Sequence, residues 1–175
     1  MRITSLRGAV LALLGLLAAC SPALDWRELR PEGSGVQLML PCKPASHARR
    51  VQLAGGPTEL TLYACTAGGV TWALAFADLQ DPARVGPALQ ALREAAAANL
   101  GAAAPQAKAL QVDGATPNPA SARLALRGQL PDGQAVQEEM AVFAKGTRVY
   151  QATCVGPTLP VEDVETFFGS LRASS

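Results

Sequence analysis

The sequence predicts an α+β fold, a mostly antiparallel sheet covered by helices. Three observations lead there. Segments of alternating apolar and polar residues occur in two groups, each punctuated by tight-turn residues. One long segment with helical apolar spacing separates the groups, and a shorter one follows the second. The order strands, long helix, strands, short helix suits a sheet with its helices laid on the faces.

Taken along the chain, Ser21 to Gly35 reads as a short tether and lead-in segment, with Trp26 and Leu29 packing on the domain edge. Val36, Leu38 and Leu40 alternate with Gln37 and Met39 in a first strand, which Pro41 and Pro44 end. Arg50 to Ala54 is the second strand, Gly55-Gly56-Pro57 a turn, and Thr58 to Cys65 the third. Gly68-Gly69 suits a two-residue hairpin, since both positions tolerate positive φ. Val70 to Leu79 returns as a fourth strand with Trp72, Leu74 and Phe76 on one face. Asp81 is the N-cap of a helix from Pro82 to Leu100, whose buried stripe is Val85, Leu89, Leu92 and Ala96. Gly101 stops it.

The next stretch is loop-like over Ala102 to Gln106 and Ala115 to Ala120, with a short strand near Val112. Ser121 to Leu130 alternates again, placing Leu124 and Leu126 opposite Arg123 and Arg127. Pro131-Asp132-Gly133 turns the chain into Val136 to Ala144, and Lys145-Gly146 into Thr147 to Val155. Val161, Val164, Phe167, Phe168 and Leu171 mark the apolar face of a closing helix.

The first twenty residues carry a different signal. Arg2 and Arg7 form a positive leading region before a short apolar run, Ala9 to Ala19, of signal-sequence length. The run ends in Leu17-Ala18-Ala19-Cys20, which resembles the lipobox of bacterial lipoproteins. The resemblance implies a signal peptide over residues 1–19, cleavage before Cys20 and acylation of its thiol. Two or more acyl chains hold a protein stably at a membrane, where one does not. Ser21 rather than Asp after the lipidated cysteine directs the expectation to the outer membrane, with the domain facing the periplasm. The expected organisation is residues 1–19 signal, 20–34 lipidated N-terminus and tether, and 35–172 one domain. Removing residues 1–19 from the 175 leaves 156, enough for a real core. The net charge of +1 includes Arg2 and Arg7, so the mature chain is near −1. With no basic patch, nucleic-acid binding has no support.

Gly35-Val36-Gln37-Leu38-Met39-Leu40-Pro41-Cys42-Lys43-Pro44 resembles the opening strand of Mog1/PsbP-like domains. Val149-Tyr150-Gln151-Ala152-Thr153, followed by Val164 to Leu171, resembles their last strand and closing helix. These motifs are short and chiefly structural, and Cys42 stands where many such domains carry Gly. The resemblance implies an α/β/α sandwich and a non-enzymatic interaction or assembly module. It transfers no particular partner.

The candidate chemistry is sparse. Cys42, Cys65 and Cys154 lie in a chain expected in an oxidising compartment, so one disulfide and one leftover thiol are predicted. Cys42 closes the first strand and Cys65 the third, so strand ends of one sheet can bring them within disulfide reach; Cys154 stays an alternative partner for either. Cys42, His47 and Cys65 offer soft metal ligands, but C-x4-H is weak spacing and a fourth ligand is not evident. Cys154 shares a strand face with Tyr150 and Ala152, which argues for a buried, inert thiol. Glu138 and Glu139 point to opposite strand faces, against a shared acid–base site, and solvent exposure accounts for both. Trp72 and Phe76 can line a ligand pocket, though core packing is the favoured role. The sequence thus predicts no enzyme, no cofactor and no metal. It predicts a lipid-anchored envelope module with a protein partner, or a periplasmic small-ligand or metal-binding lipoprotein.

Overall fold

The computed structural model describes residues 24–102 and 105–174. Cys20 and the signal segment lie outside the described residues. Among the described residues, ten strands form two sheets. The smaller has the order β1 (Arg27–Leu29), β2 (Val36–Leu40) and β10 (Arg172–Ala173), with β2 central. The larger has seven strands in the order β3 (Ala45–Leu53), β4 (Gly56–Ala67), β5 (Val70–Asp78), β9 (Arg148–Gly156), β8 (Ala135–Lys145), β7 (Ala122–Gln129) and β6 (Gln106–Lys108). Every neighbouring pair in it is antiparallel. The two meanders meet at β5 and β9, where Trp72 stands opposite Cys154 and Leu74 opposite Ala152. Helices α1 (Val85–Leu100) and α2 (Val161–Gly169) complete the fold.

The expected helix-covered α/β/α sandwich is corrected by this arrangement. The described residues are 49% strand and 19% helical, and the fold is β-rich. The reason is dimensional. Seven strands at about 4.8 Å spacing make a sheet roughly 34 Å wide. The nine residues of α2 span only about 13 Å. The rest of that face is closed by strand β2, whose Val36, Leu38 and Leu40 join Trp72, Leu74, Phe143, Tyr150 and Phe167 in one core. On the opposite face α1 lays Val85, Ala88, Leu89, Ala96 and Leu100 over Leu124, Leu126, Met140 and Val142.

Local details follow from residue chemistry. The helix expected from Pro82 opens as a 3-10 turn over Pro82–Arg84 and becomes α-helical at Val85. The Asp81 carboxylate accepts from the Ala83 N–H at 2.9 Å, and Pro82 takes the first position, where no N–H is needed. Arg84 then reaches back across the sheet end. Its guanidinium donates to the carbonyls of Leu53 (2.7 Å), Ala54 (3.2 Å), Gly56 (3.2 Å) and Leu79 (3.3 Å), and to Thr58 Oγ1 (3.0 Å). Those carbonyls converge at the β3–β4 turn, where Ala54 has φ +49°. Strand β3 runs from Ala45, five residues earlier than the sequence suggests. His47, Arg49 and Arg50 are all exposed along it, Arg49 and Arg50 on opposite faces, polar side chains that suit an edge strand. The short strand expected near Val112 lies instead at Gln106–Lys108.

Candidate functional site

Cys42 and Cys65 form a disulfide with a Cα–Cα distance of 6.0 Å. Cys65 pairs with Trp72 across β4 and β5, and Pro41 accepts a backbone bond from Asp25, so this corner also receives the incoming chain. The bond consumes both thiols that a Cys42–His47–Cys65 metal site requires. His47 sits exposed on the edge strand opposite Leu62. Among the described residues, no three His, Cys, Asp or Glu side chains gather as metal ligands.

Cys154 is fully buried on β9 with Tyr150 and Ala152 on its face. Burial pushes its thiol up to about 12, with the Glu139 charge adding to the effect, so it stays protonated and unreactive at neutral pH. Trp72 is fully buried, meeting Trp26 and Phe167 edge-to-face at centroid distances of 5.6 and 5.4 Å. Phe76 stacks toward Tyr63 and Tyr150 in the same core. Both aromatics are packing residues.

The densest polar cluster is one the sequence reading passed over. Arg123 of β7, read there as the polar side of an alternating strand, is covered by α2 and is 7% exposed. Its Nε and Nη2 donate to Glu139 at 3.2 and 2.8 Å. Nη1 and Nη2 donate to Glu165 of α2 at 3.0 and 2.7 Å. The guanidinium carbon lies 4.3 Å from the Phe168 ring centroid, a cation–π contact. Lys108 of β6 binds the other Glu139 oxygen. The Arg123 hydrogen bonds hold Glu165 below the usual carboxylate range. Five side chains from β6, β7, β8 and α2 therefore meet at one point. Lys108 and Glu165 line clefts on either side of it, of about 420 and 460 Å³. This array clamps α2 to the sheet. It presents Lys108 and Glu165 to solvent while Arg123 and Glu139 are saturated by each other.

The expectation that Glu138 and Glu139 are solvent-exposed is corrected: each is 8% exposed. They do face opposite ways, Glu139 opposite Cys154 and Glu138 opposite Val155. Glu139 is buried because α2 and β6 close over its face.

A second surface has the opposite character. On the α1 side of the large sheet, the helix covers β7, β8 and β9 but leaves a strip beside it. Leu62 and Ala64 of β4, Ala73 and Ala75 of β5, and Gln151 and Thr153 of β9 adjoin there in register and are all half-exposed. Ala64, Ala73 and Ala75 leave the middle of the strip shallow and mildly apolar. Neither a family model, nor a curated protein, nor a solved structure matches this chain.

Proposed function

We propose that this chain is a lipid-anchored interaction module of a bacterial cell envelope, acylated on Cys20 and working without catalysis. The observation that carries the reading is the conjunction of Leu17-Ala18-Ala19-Cys20 with the Cys42–Cys65 disulfide. The first is an export and lipidation signal; the second is a bond that persists in oxidising compartments and is rare in the cytosol. Two unrelated features, one in the leader and one inside the domain, call for the same compartment. The half-exposed alanines Ala64, Ala73 and Ala75 beside Leu62 support a binding role, since small side chains admit close approach of another surface.

The test is metabolic labelling with a fatty-acid analogue in a bacterial host that processes lipoproteins, followed by membrane fractionation. The wild-type chain is expected to carry label and to fractionate with outer membrane, and Cys20→Ala to lose both. Unlabelled, freely soluble wild type overturns the reading. In-cell crosslinking then identifies the partner, with Ala75→Arg as the variant expected to lose it.

A small-ligand lipoprotein is the second reading. The observation in its favour is the pair of clefts that share Lys108 and Glu165, one cation and one carboxylate at the margin of apolar walls that include Leu159 and Val164. Stoichiometric small molecule in the natively purified domain, lost on Lys108→Ala, favours it over the first.

A further inference from the structure

We infer that one particular end of the large sheet, the end with the β4–β5 turn, faces the lipid bilayer, and that the opposite end points away from it. The inference rests on the proposed acylation of Cys20. It begins where the incoming chain meets the domain. Leu24 covers the backbone of Gly68: a Cβ there would lie 3.1 Å from Leu24 Cδ2. Asp25 donates its N–H to Pro41 O at 2.8 Å, and Trp26 packs on Trp72. The chain is thus fastened to the β4–β5 turn from Leu24 onward, and only residues 21–23 separate that fastening from Cys20.

Length decides the geometry. Four residue steps reach at most about 14 Å when fully extended. The 12 residues of β4 run about 40 Å from one end of the sheet to the other. The lipid can therefore reach the bilayer only if the Gly68 end stays close to it.

The other features of that end agree. Gly156 of β9 abuts Gly69, so the loop Pro157–Pro160 and the start of α2 lie beside the β4–β5 turn. Val161, 74% exposed, opens α2 there; among the described residues it is the large hydrophobic side chain left in solvent. At a lipid interface that exposure has a purpose. The far end carries the β3–β4 turn, the Arg84 cluster and the β8–β9 turn at Gly146.

The chain suits a direct test, because Cys154 is buried and Cys42 and Cys65 are bonded, which leaves an introduced thiol as the reactive one on the native fold. Thr158→Cys reports the proximal end and Gln52→Cys the distal end; both positions are exposed. Each variant of the full lipidated chain is labelled with bimane and reconstituted in phosphatidylcholine vesicles carrying a headgroup nitroxide. Mass spectrometry of the same sample reads the acylation state of Cys20. Several-fold stronger quenching at position 158 than at 52, lost when the chain is released by protease between Cys20 and Leu24, is the expected result. Equal quenching at the two positions, or stronger quenching at 52, on an acylated chain overturns the orientation and leaves the lipoprotein reading intact. A mature chain without acyl groups overturns both.

Discussion

Glu138 and Glu139 are neighbours on β8, equally buried, and have opposite electrostatic surroundings. Glu139 receives Arg123 and Lys108 under the cover of α2. On the other face, no described residue donates to the Glu138 carboxylate, and burial pushes it up to about 7 from an ordinary 4.5. One carboxylate is held by partners, and the other is tolerated at a cost.

That cost has a definite sign. The folded chain binds the Glu138 proton more tightly than the unfolded chain, so the domain loses stability as pH rises from about 4.5 to 7. Below that window both states are protonated and nothing is lost; above it the loss is constant, up to about 3 kcal/mol. Glu138→Gln is expected to stabilise the domain by up to that amount at pH 8 and to leave it unchanged at pH 4. Urea unfolding at the two pH values checks this, and an equal effect at both contradicts it.

Arg123 behaves differently because its two carboxylates are not equivalent. Arg123→Met leaves Glu139 buried with only Lys108, and is expected to cost about 3–5 kcal/mol. Glu165 is half-exposed, so Glu165→Gln is expected to cost under about 1 kcal/mol. In Arg123→Met the Glu165 carboxyl should also titrate higher than in wild type, because the bonds that lower it are gone. NMR titration of the Glu165 side chain reads this directly.

The cysteines predict a thiol count. In a Cys20→Ser chain, alkylation of the native domain should modify no cysteine, alkylation in denaturant one (Cys154), and alkylation after reduction three. Closing a loop with 23 residues of separation constrains the unfolded chain by about 3 kcal/mol in the entropy model, so a Cys42→Ser, Cys65→Ser double variant should lose stability of that order.

Two glycines should respond in opposite directions. A Cβ at Gly128 would lie 1.9 Å from the carbonyl oxygen of Leu100, the last residue of α1. Gly128→Ala must push the helix end off β7, and is expected to cost about 2 kcal/mol or more. Gly86, inside α1, has nothing within 4 Å of that position. Gly86→Ala is expected to stabilise by up to about 1 kcal/mol through helix propensity alone. Thermal melts of the pair give the comparison.

Much of this was readable along the chain. Alternation marked the strand Val36–Leu40 and a strand from Val70 to Leu79, one residue longer than the Val70–Asp78 observed; Gly68-Gly69 marked a hairpin, and Asp81-Pro82 marked a helix start. Each is a local matter of side-chain period or backbone freedom within a few residues. The Cys42–Cys65 pair was reachable too, because strand ends in one meander lie close. Arg123 was not. Its partners are 16 and 42 residues away, and an arginine on an alternating strand looks the same whether its face meets water or a helix. The α/β/α expectation failed for a related reason. Counting helical segments says nothing of how much sheet each one covers, and only packing revealed that β2 closes the face α2 is too short to fill. The sequence alone determined the periodicities and the turns, which depend on near neighbours. The tertiary structure decided which polar groups are buried, which charges meet and which end of the sheet receives the incoming chain, because burial belongs to surfaces that residues far apart in sequence make together.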